Sequence, residues 1–307
     1  MSQEAVAFIF PGQGSQFVGM GQELATFPEA RHVFAQADEV LGLPLSKLCL
    51  EGPEADLNDT INTQPAIVTH SVAALRVIEA RTDLASRLAL VAGHSLGEFS
   101  ALVCAGALSF ADALRLVRER GRLMKRAGEQ HPGAMAAVLG LDRSIVENIC
   151  GEASRATDRP VQIANDNCPG QIVISGDKAA LDKALELAKA RRGKVRPLAV
   201  SIAAHSAHMA GAAQEFRAVL ESAHWAEPRL LAVANTTARP VGRGSVIDLL
   251  VAQLTSPVRW TESVQFMIGK GVTRFIEVGP KDVLCGMIKR IDAAVTAQPC
   301  TAVISGL

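Results

Sequence analysis

An excess of either charge is missing from this chain: 31 Lys and Arg balance 31 Asp and Glu over 307 residues. Proteins that meet nucleic acid or an anionic membrane surface carry a basic excess to face phosphates, so neither partner is expected and any docking surface must be local. A basic leader is missing too. The opening MSQEAVAFIFPGQ has an acidic residue and an apolar run too short for a signal peptide or membrane span, which predicts a cytoplasmic protein. The six cysteines, at positions 49, 104, 150, 168, 285 and 300, show neither C-x-x-C spacing nor a cluster with histidine. Zinc and redox motifs are therefore unsupported, and the thiols read as reduced, buried core residues. Nucleotide loops are also lacking: G-x-G-x-x-G in PGQGSQ would need glycine where Phe17 stands, and no P-loop lysine follows.

What is present is a core. Apolar residues make up 49% of the chain, enough for one large domain with an insert or for two domains. Strand-length runs (AVAFIF, LALVA, MAAVLG, QIVISG, LAVSIA, RLLAVAN, TRFIEVG) alternate with longer amphipathic stretches, the pattern of an α/β fold with a mostly parallel sheet. Between about Ala134 and Val200 the order becomes β-α-β-β-α-β, which predicts a ferredoxin-like subdomain. Boundaries of 128–199 for that insert leave 1–127 and 200–307 as a discontinuous larger domain, with a cleft between the two bodies.

The pentapeptide GHSLG at 93–97 follows the run LALVA and precedes the helix-like EFSALVCAGAL. Glycines flank Ser95 because a strand-to-helix elbow is cramped, and the strain lifts the serine hydroxyl clear of the sheet edge. The helix behind it offers backbone donors and a positive dipole end to an oxyanion. Ser95 is thus the candidate nucleophile, and no cysteine competes with it.

A base must come from seven histidines. His94 adjoins Ser95 but leaves the strand on the opposite face. His32 and His70 fall inside predicted helices, His224 near a helix end, and His131 in the connection between domains. His205 and His208 share a loop between the LAVSIA run and the helix-like MAGAAQEFRAVL, and position alone does not separate them. No orienting acid is evident, since Asp166 and Asp177 sit in the insert; a backbone or amide carbonyl could accept the Nδ1 proton instead.

In FADALRLVRERGRLMKRAG, residues Phe110, Ala113, Leu114, Val117, Gly121 and Met124 share an apolar arc with Leu116 and Leu123. Arg115, Arg118, Arg122, Lys125 and Arg126 take the opposite face, whereas Arg120 falls inside the apolar arc. A buried guanidinium needs an anionic partner: either an internal carboxylate in a structural ion pair, or the carboxylate of a substrate, which suits its fork. The PGQGSQ turn could aim a Gln13 donor toward the elbow, or be an ordinary βα turn.

Taken in order, FPGQGSQ at 10–16, TQPA at 63–66, GHSLGEFSAL at 93–102, the Arg120 helix, SIAAHSAHM at 201–209, QLTSPVRW at 253–260 and EVGP at 277–280 resemble the malonyl-CoA:acyl carrier protein transacylase family. That family spans the enzyme of bacterial fatty-acid synthesis and the trans-acting acyltransferases of polyketide synthases. The resemblance covers nearly the whole chain. It implies an α/β-hydrolase-like body with a ferredoxin-like subdomain, and malonyl transfer from malonyl-CoA to an acyl carrier protein by a ping-pong acyl-serine route without metal or redox cofactor. A monomer is expected.

By the same resemblance Ser95 is the nucleophile, His205 the base, Gln13 and Leu96 the oxyanion hole, and Gln253 the main-chain partner of His205. Arg120 would pair with the malonyl carboxylate. Gln64 and Asn167 match acyl-pocket positions, and His94 and Ala204 are placed beside the substrate. Ala204 departs from the Phe or Ser that relatives commonly carry there, at a position that helps set acyl selectivity. Local basic residues for an acidic carrier are Lys189, Arg191, Arg192, Lys194 and Arg196, with Lys289 and Arg290 as a second group. Two other functions share parts of this pattern: a carrier-protein thioester hydrolase, which has little use for a buried cation, and a non-catalytic docking subunit, which has little use for Ser95, His205 and Gln13.

Overall fold

The β-branched and aromatic runs of the sequence pair into two sheets in a computed structural model that describes residues 5–198, 200 and 202–305. Among the described residues the strands are β1 (Ala5–Phe10), β2 (Leu88–Gly93), β3 (Ala134–Leu139), β4 (Val161–Cys168), β5 (Gln171–Gly176), β6 (Lys194–Pro197), β7 (Leu231–Val233), β8 (Val258–Arg259), β9 (Val272–Glu277) and β10 (Thr296–Pro299). The larger sheet has the order β10-β9-β1-β2-β7 and is parallel throughout. Its strands are apolar on both faces because helices cover both, and β1 is buried from Val6 to Phe10.

The second sheet has the order β6-β3-β5-β4-β8. Its first four strands are antiparallel, with the helices Arg143–Thr157 and Lys178–Ala190 packed on one side, so the β-α-β-β-α-β order closes as a ferredoxin-like unit. The short β8, which comes from sequence far downstream, adds to it in parallel beside β4. The chain is thus α/β, with a parallel-sheet body and a smaller subdomain. Helix Phe110–Gln130 runs on past residue 128 before β3 begins. Among the described residues no helix is long and apolar enough to cross a membrane.

One expected strand does not form. The LAVSIA run reads as a strand leading to His205, but Leu198, Val200, Ile202 and Ala203 lie outside any strand, and residues 199 and 201 are outside the described ones. The strand ends at Pro197, at the open edge of the sheet where proline is tolerated, and the last link to β3 is the Leu198 N–H, which donates to the Met135 carbonyl at 2.9 Å. Leu198, Val200 and Ile202 instead wall the cavity above Ser95.

Parallel register decides what meets at the sheet edge. Phe10 stands opposite Gly93, so the loops that follow β1 and β2 leave the sheet side by side. The His94 N–H donates to the Phe10 carbonyl at 2.9 Å. A Cβ on Gly97 would lie 2.1 Å from the Phe10 oxygen, and one on Gly93 would lie 1.9 Å from the Gly97 carbonyl carbon. Both glycines are required by this close approach of backbone to backbone.

Candidate active site

Ser95 sits between β2 and the helix Gly97–Cys104 with φ of 51°, a left-handed conformation that costs a non-glycine residue roughly 1 kcal/mol. Asn235, buried just after β7, holds this strain in place. Its Oδ1 accepts the Ser95 N–H at 2.7 Å and its Nδ2 donates to the Gly93 carbonyl at 2.6 Å. The elbow is clamped from both sides by one side chain.

His205 Nε2 lies 2.8 Å from Ser95 Oγ, and its Nδ1 lies 2.7 Å from the main-chain oxygen of Gln253. A carbonyl can only accept, so Nδ1 carries the proton and the Nε2 lone pair faces the serine hydroxyl. His205 itself has φ of 57°, and its own carbonyl accepts from Gln162 Nε2 at 3.0 Å. Burial, reinforced by the Arg120 charge, pushes the imidazole pKa down to about 3, so the ring is neutral near pH 7. Among the described residues no other histidine is bonded to Ser95: His94 lines the same cavity but bonds Asn167 Oδ1 through Nε2 at 2.8 Å and packs edge-on against Trp260, and His70 is buried in the helix Thr60–Arg81. Asp166 pairs with Arg143 and Asp177 caps the helix Lys178–Ala190, so neither orients His205.

Arg120 is 2% exposed, which bears out its place in the apolar arc of its helix. Its Nη1 donates to Gln64 Oε1 at 2.8 Å; its Nη2 donates to Gln253 Oε1 at 2.9 Å and, at 3.3 Å, to Ser95 Oγ. Burial lowers its pKa to about 10, which still leaves it charged near neutrality. Gln253 is wholly buried and spends its remaining donors on the Ser95 carbonyl at 3.0 Å and on Glu98 Oε2 at 2.5 Å. Burial raises the Glu98 carboxyl to about 7, against the lowering effects of Gln253, Asn235 and Arg120.

These groups open onto a cavity of about 180 Å³. Gln13, His94, Ser95, Leu96, Arg120, Ala204 and His205 line it, together with Thr60, Met124, Met135 and Asn165. Among the described residues neither the Gln13 nor the Leu96 backbone N–H donates to a protein acceptor. The Gln13 side chain is engaged elsewhere, since its Oε1 accepts from Thr60 Oγ1 at 2.9 Å. Gln64 and Gln253 are not at the cavity surface and act on it through groups that are: Gln64 through Arg120, Thr60 and Met124, and Gln253 through Arg120, His205 and Ser95. Asn167, expected in the acyl pocket, stands one layer back as the partner of His94, and the asparagine at the surface of the cavity is Asn165. The two asparagines are two residues apart, which a regular strand would put on one face, but the pairing of β4 with β5 shifts register between Asp166 and Cys168, so Asn167 falls in an irregularity that separates it from Asn165. Among the described residues no group of three or more His, Cys, Asp or Glu side chains could hold a metal ion.

Sequence reasoning passed over Glu98, Asn235 and Gln162. Glu98 had a signal, being the single charged residue between Leu96 and Leu108. Asn235 had none, because its role depends on β7 lying next to β2.

A strained serine at the carboxyl edge of a parallel sheet, in hydrogen-bond contact with a neutral histidine, is the arrangement of α/β enzymes that pass acyl groups through a serine ester. The family profile described as acyl transferase domain matches residues 7–304, and the chain belongs to that family. The malonyl CoA-acyl carrier protein transacylase of Escherichia coli (strain K12) is 45% identical over 295 residues, 95% of this chain and 94% of the relative. The crystal structure of the malonyl-CoA:acyl carrier protein transacylase from Xanthomonas oryzae pv. oryzae superposes with a TM-score of 0.91 at 45% identity, covering 97% of this chain and 95% of that one. A malonyl-transacylase solved in complex with a type II PKS acyl-carrier protein superposes with a TM-score of 0.93 at 40% identity, covering 99% and 100%.

Proposed function

We propose that this chain moves a malonyl group from malonyl-CoA to the phosphopantetheine thiol of an acyl carrier protein, with Ser95 carrying the acyl group between them. The observation that carries this reading is a buried, charged Arg120 whose Nη2 reaches the same Ser95 Oγ that His205 addresses. Such a cation beside the nucleophile suits an acyl group that ends in a carboxylate.

Ser95 Oγ attacks the thioester carbon while its proton passes to His205 Nε2. The free N–H groups of Gln13 and Leu96 receive the oxyanion. The C–S bond breaks, the CoA sulfur takes the proton back from His205, and a malonyl ester remains on Ser95. The carrier thiol then gives its proton to His205 and attacks the ester, and collapse returns the proton to Ser95 Oγ. Written so, the sequence balances without metal or redox cofactor. A malonyl carboxylate on Arg120 also offsets the positive charge that depresses His205, so the right substrate restores basicity to its own base.

Ala204 lines the cavity beside the base and leaves more room there than Phe or Ser would, so we assign it to acyl selectivity together with His94. Six unpaired cysteines support a reducing, cytoplasmic setting. We place carrier docking near β6, where Lys189, Arg192, Lys194 and Arg196 are exposed and Arg191 pairs with Glu152.

Intact-mass spectrometry after mixing with malonyl-CoA tests the proposal. The expected result is a malonyl adduct on Ser95 that moves to holo carrier protein when it is added. Rapid release of free malonate instead would mean a hydrolase, and absence of any adduct would mean a docking subunit.

A further inference from the structure

Arg120 bears a buried positive charge, yet every acceptor bonded to it is neutral: Gln64 Oε1, Gln253 Oε1 and Ser95 Oγ. Its Nε is buried with no acceptor. A guanidinium in such a place needs a negative charge to stay folded and charged, but a carboxylate clasped directly to its fork would fill the position a substrate needs. The structure meets both demands with a relay. Arg120 Nη2 donates to Gln253 Oε1 at 2.9 Å, and Gln253 Nε2 donates to Glu98 Oε2 at 2.5 Å. The primary amide therefore lies between cation and carboxylate with its dipole aligned to both.

We propose that Glu98 is the resting counter-charge of Arg120, held at one remove by the Gln253 amide, and that this spacing sets the preference for an acyl group bearing a carboxylate. The inference rests on the reading that Arg120 meets the malonyl carboxylate. Glu98 is suited to the task. It is 2% exposed, sits in the first turn of the helix Gly97–Cys104, and accepts weakly from the Asn235 N–H at 3.4 Å. Arg120, from the helix Phe110–Gln130, is the charged group that acts on its carboxyl; the groups bonded to it from the helix Val246–Gln253 and from the segment after β7 are neutral amides. Because Glu98 and a malonyl carboxylate compete for the same cation, removing the first should strengthen the hold on the second.

Glu98→Gln keeps the shape and the acceptor while removing the charge. The expected result is a KM for malonyl-CoA lowered by roughly tenfold, the scale of one charge acting through a partly polarisable interior, with the KM for acetyl-CoA unchanged. Resting Glu98→Gln should also melt earlier than the parent. The parent chain gives a readout that does not depend on the variant folding: since burial puts Glu98 near pH 7, the ratio of the malonyl-CoA to the acetyl-CoA KM should rise from pH 6 to pH 8 as the carboxylate forms. Equal changes for both substrates in Glu98→Gln, or a flat ratio across that range, would overturn the proposal. If the parent itself shows no preference for malonyl-CoA, the assignment of Arg120 fails instead, and the two failures are distinct.

Discussion

Replacing Arg120 with alanine should erase the preference for malonyl over acetyl groups, and the size of the effect follows from the hydrogen bonds. A malonyl carboxylate taken up by the guanidinium makes charge-assisted bonds, each contributing about 1.5–3 kcal/mol. Two such bonds amount to roughly 3–6 kcal/mol, which at 1.4 kcal/mol per tenfold lowers kcat/KM for malonyl-CoA by about 10²–10⁴. Acetyl-CoA makes no such bonds. Its rate should hold or rise, because loss of the Arg120 charge removes one of the effects that depress His205. The truncation also strands Gln64 Oε1 and Gln253 Oε1, which lose their Arg120 donors in a buried place. Relief of a desolvated charge offsets part of that cost, so stability should change by no more than about 2 kcal/mol. Steady-state kcat/KM for both thioesters with holo carrier protein, beside thermal melts, measures all of this. Equal losses for the two substrates would refute the reasoning, since they would make Arg120 a support of the elbow rather than a reader of the acyl group.

Gly97→Ala should destabilise the fold by about 3 kcal/mol or more, because its Cβ would lie 2.1 Å from the Phe10 carbonyl oxygen and neither backbone can yield; a melt within about two degrees of the parent would contradict the elbow geometry. His205 predicts an acid-side loss of stability. Its folded pKa of about 3 lies below the ordinary 6.5, so the unfolded chain binds the extra proton between those values. The contribution is complete above pH 6.5 and falls by about one tenfold factor in the folding equilibrium per pH unit toward pH 3. His205→Gln should shallow that slope in denaturant titrations at pH 4–7, and an unchanged slope would show that the imidazole is not held neutral.

Much of the site was readable before the fold. The elbow is local: strand, glycine, serine, glycine and helix lie within a few turns of one another, so Ser95 could be named from neighbours alone. Arg120 could be named from the 3.6-residue period of its helix, since that period fixes which face is apolar. His205 is different. Its distinction from His208 depends on which of two nearby residues faces β2 across the cavity, and the expected strand before it gives way to an irregular segment after Pro197. That a neutral Gln253 carbonyl takes the place of an acid was reachable only through the family resemblance of QLTSPVRW, and no pattern in the chain shows that Asn235 braces the elbow from 140 residues away.

The sequence by itself determined the α/β class, the ferredoxin-like order of elements, the candidate nucleophile and a cation misplaced on an apolar face. Each is set by short-range chemistry: propensity, helical period and the steric demands of glycine. Tertiary structure alone decided how that cation is balanced. Only the packing of three separate helices brings Arg120, Gln253 and Glu98 into line, because charge compensation in a buried site is a property of distances in space and leaves no trace in spacing along the chain.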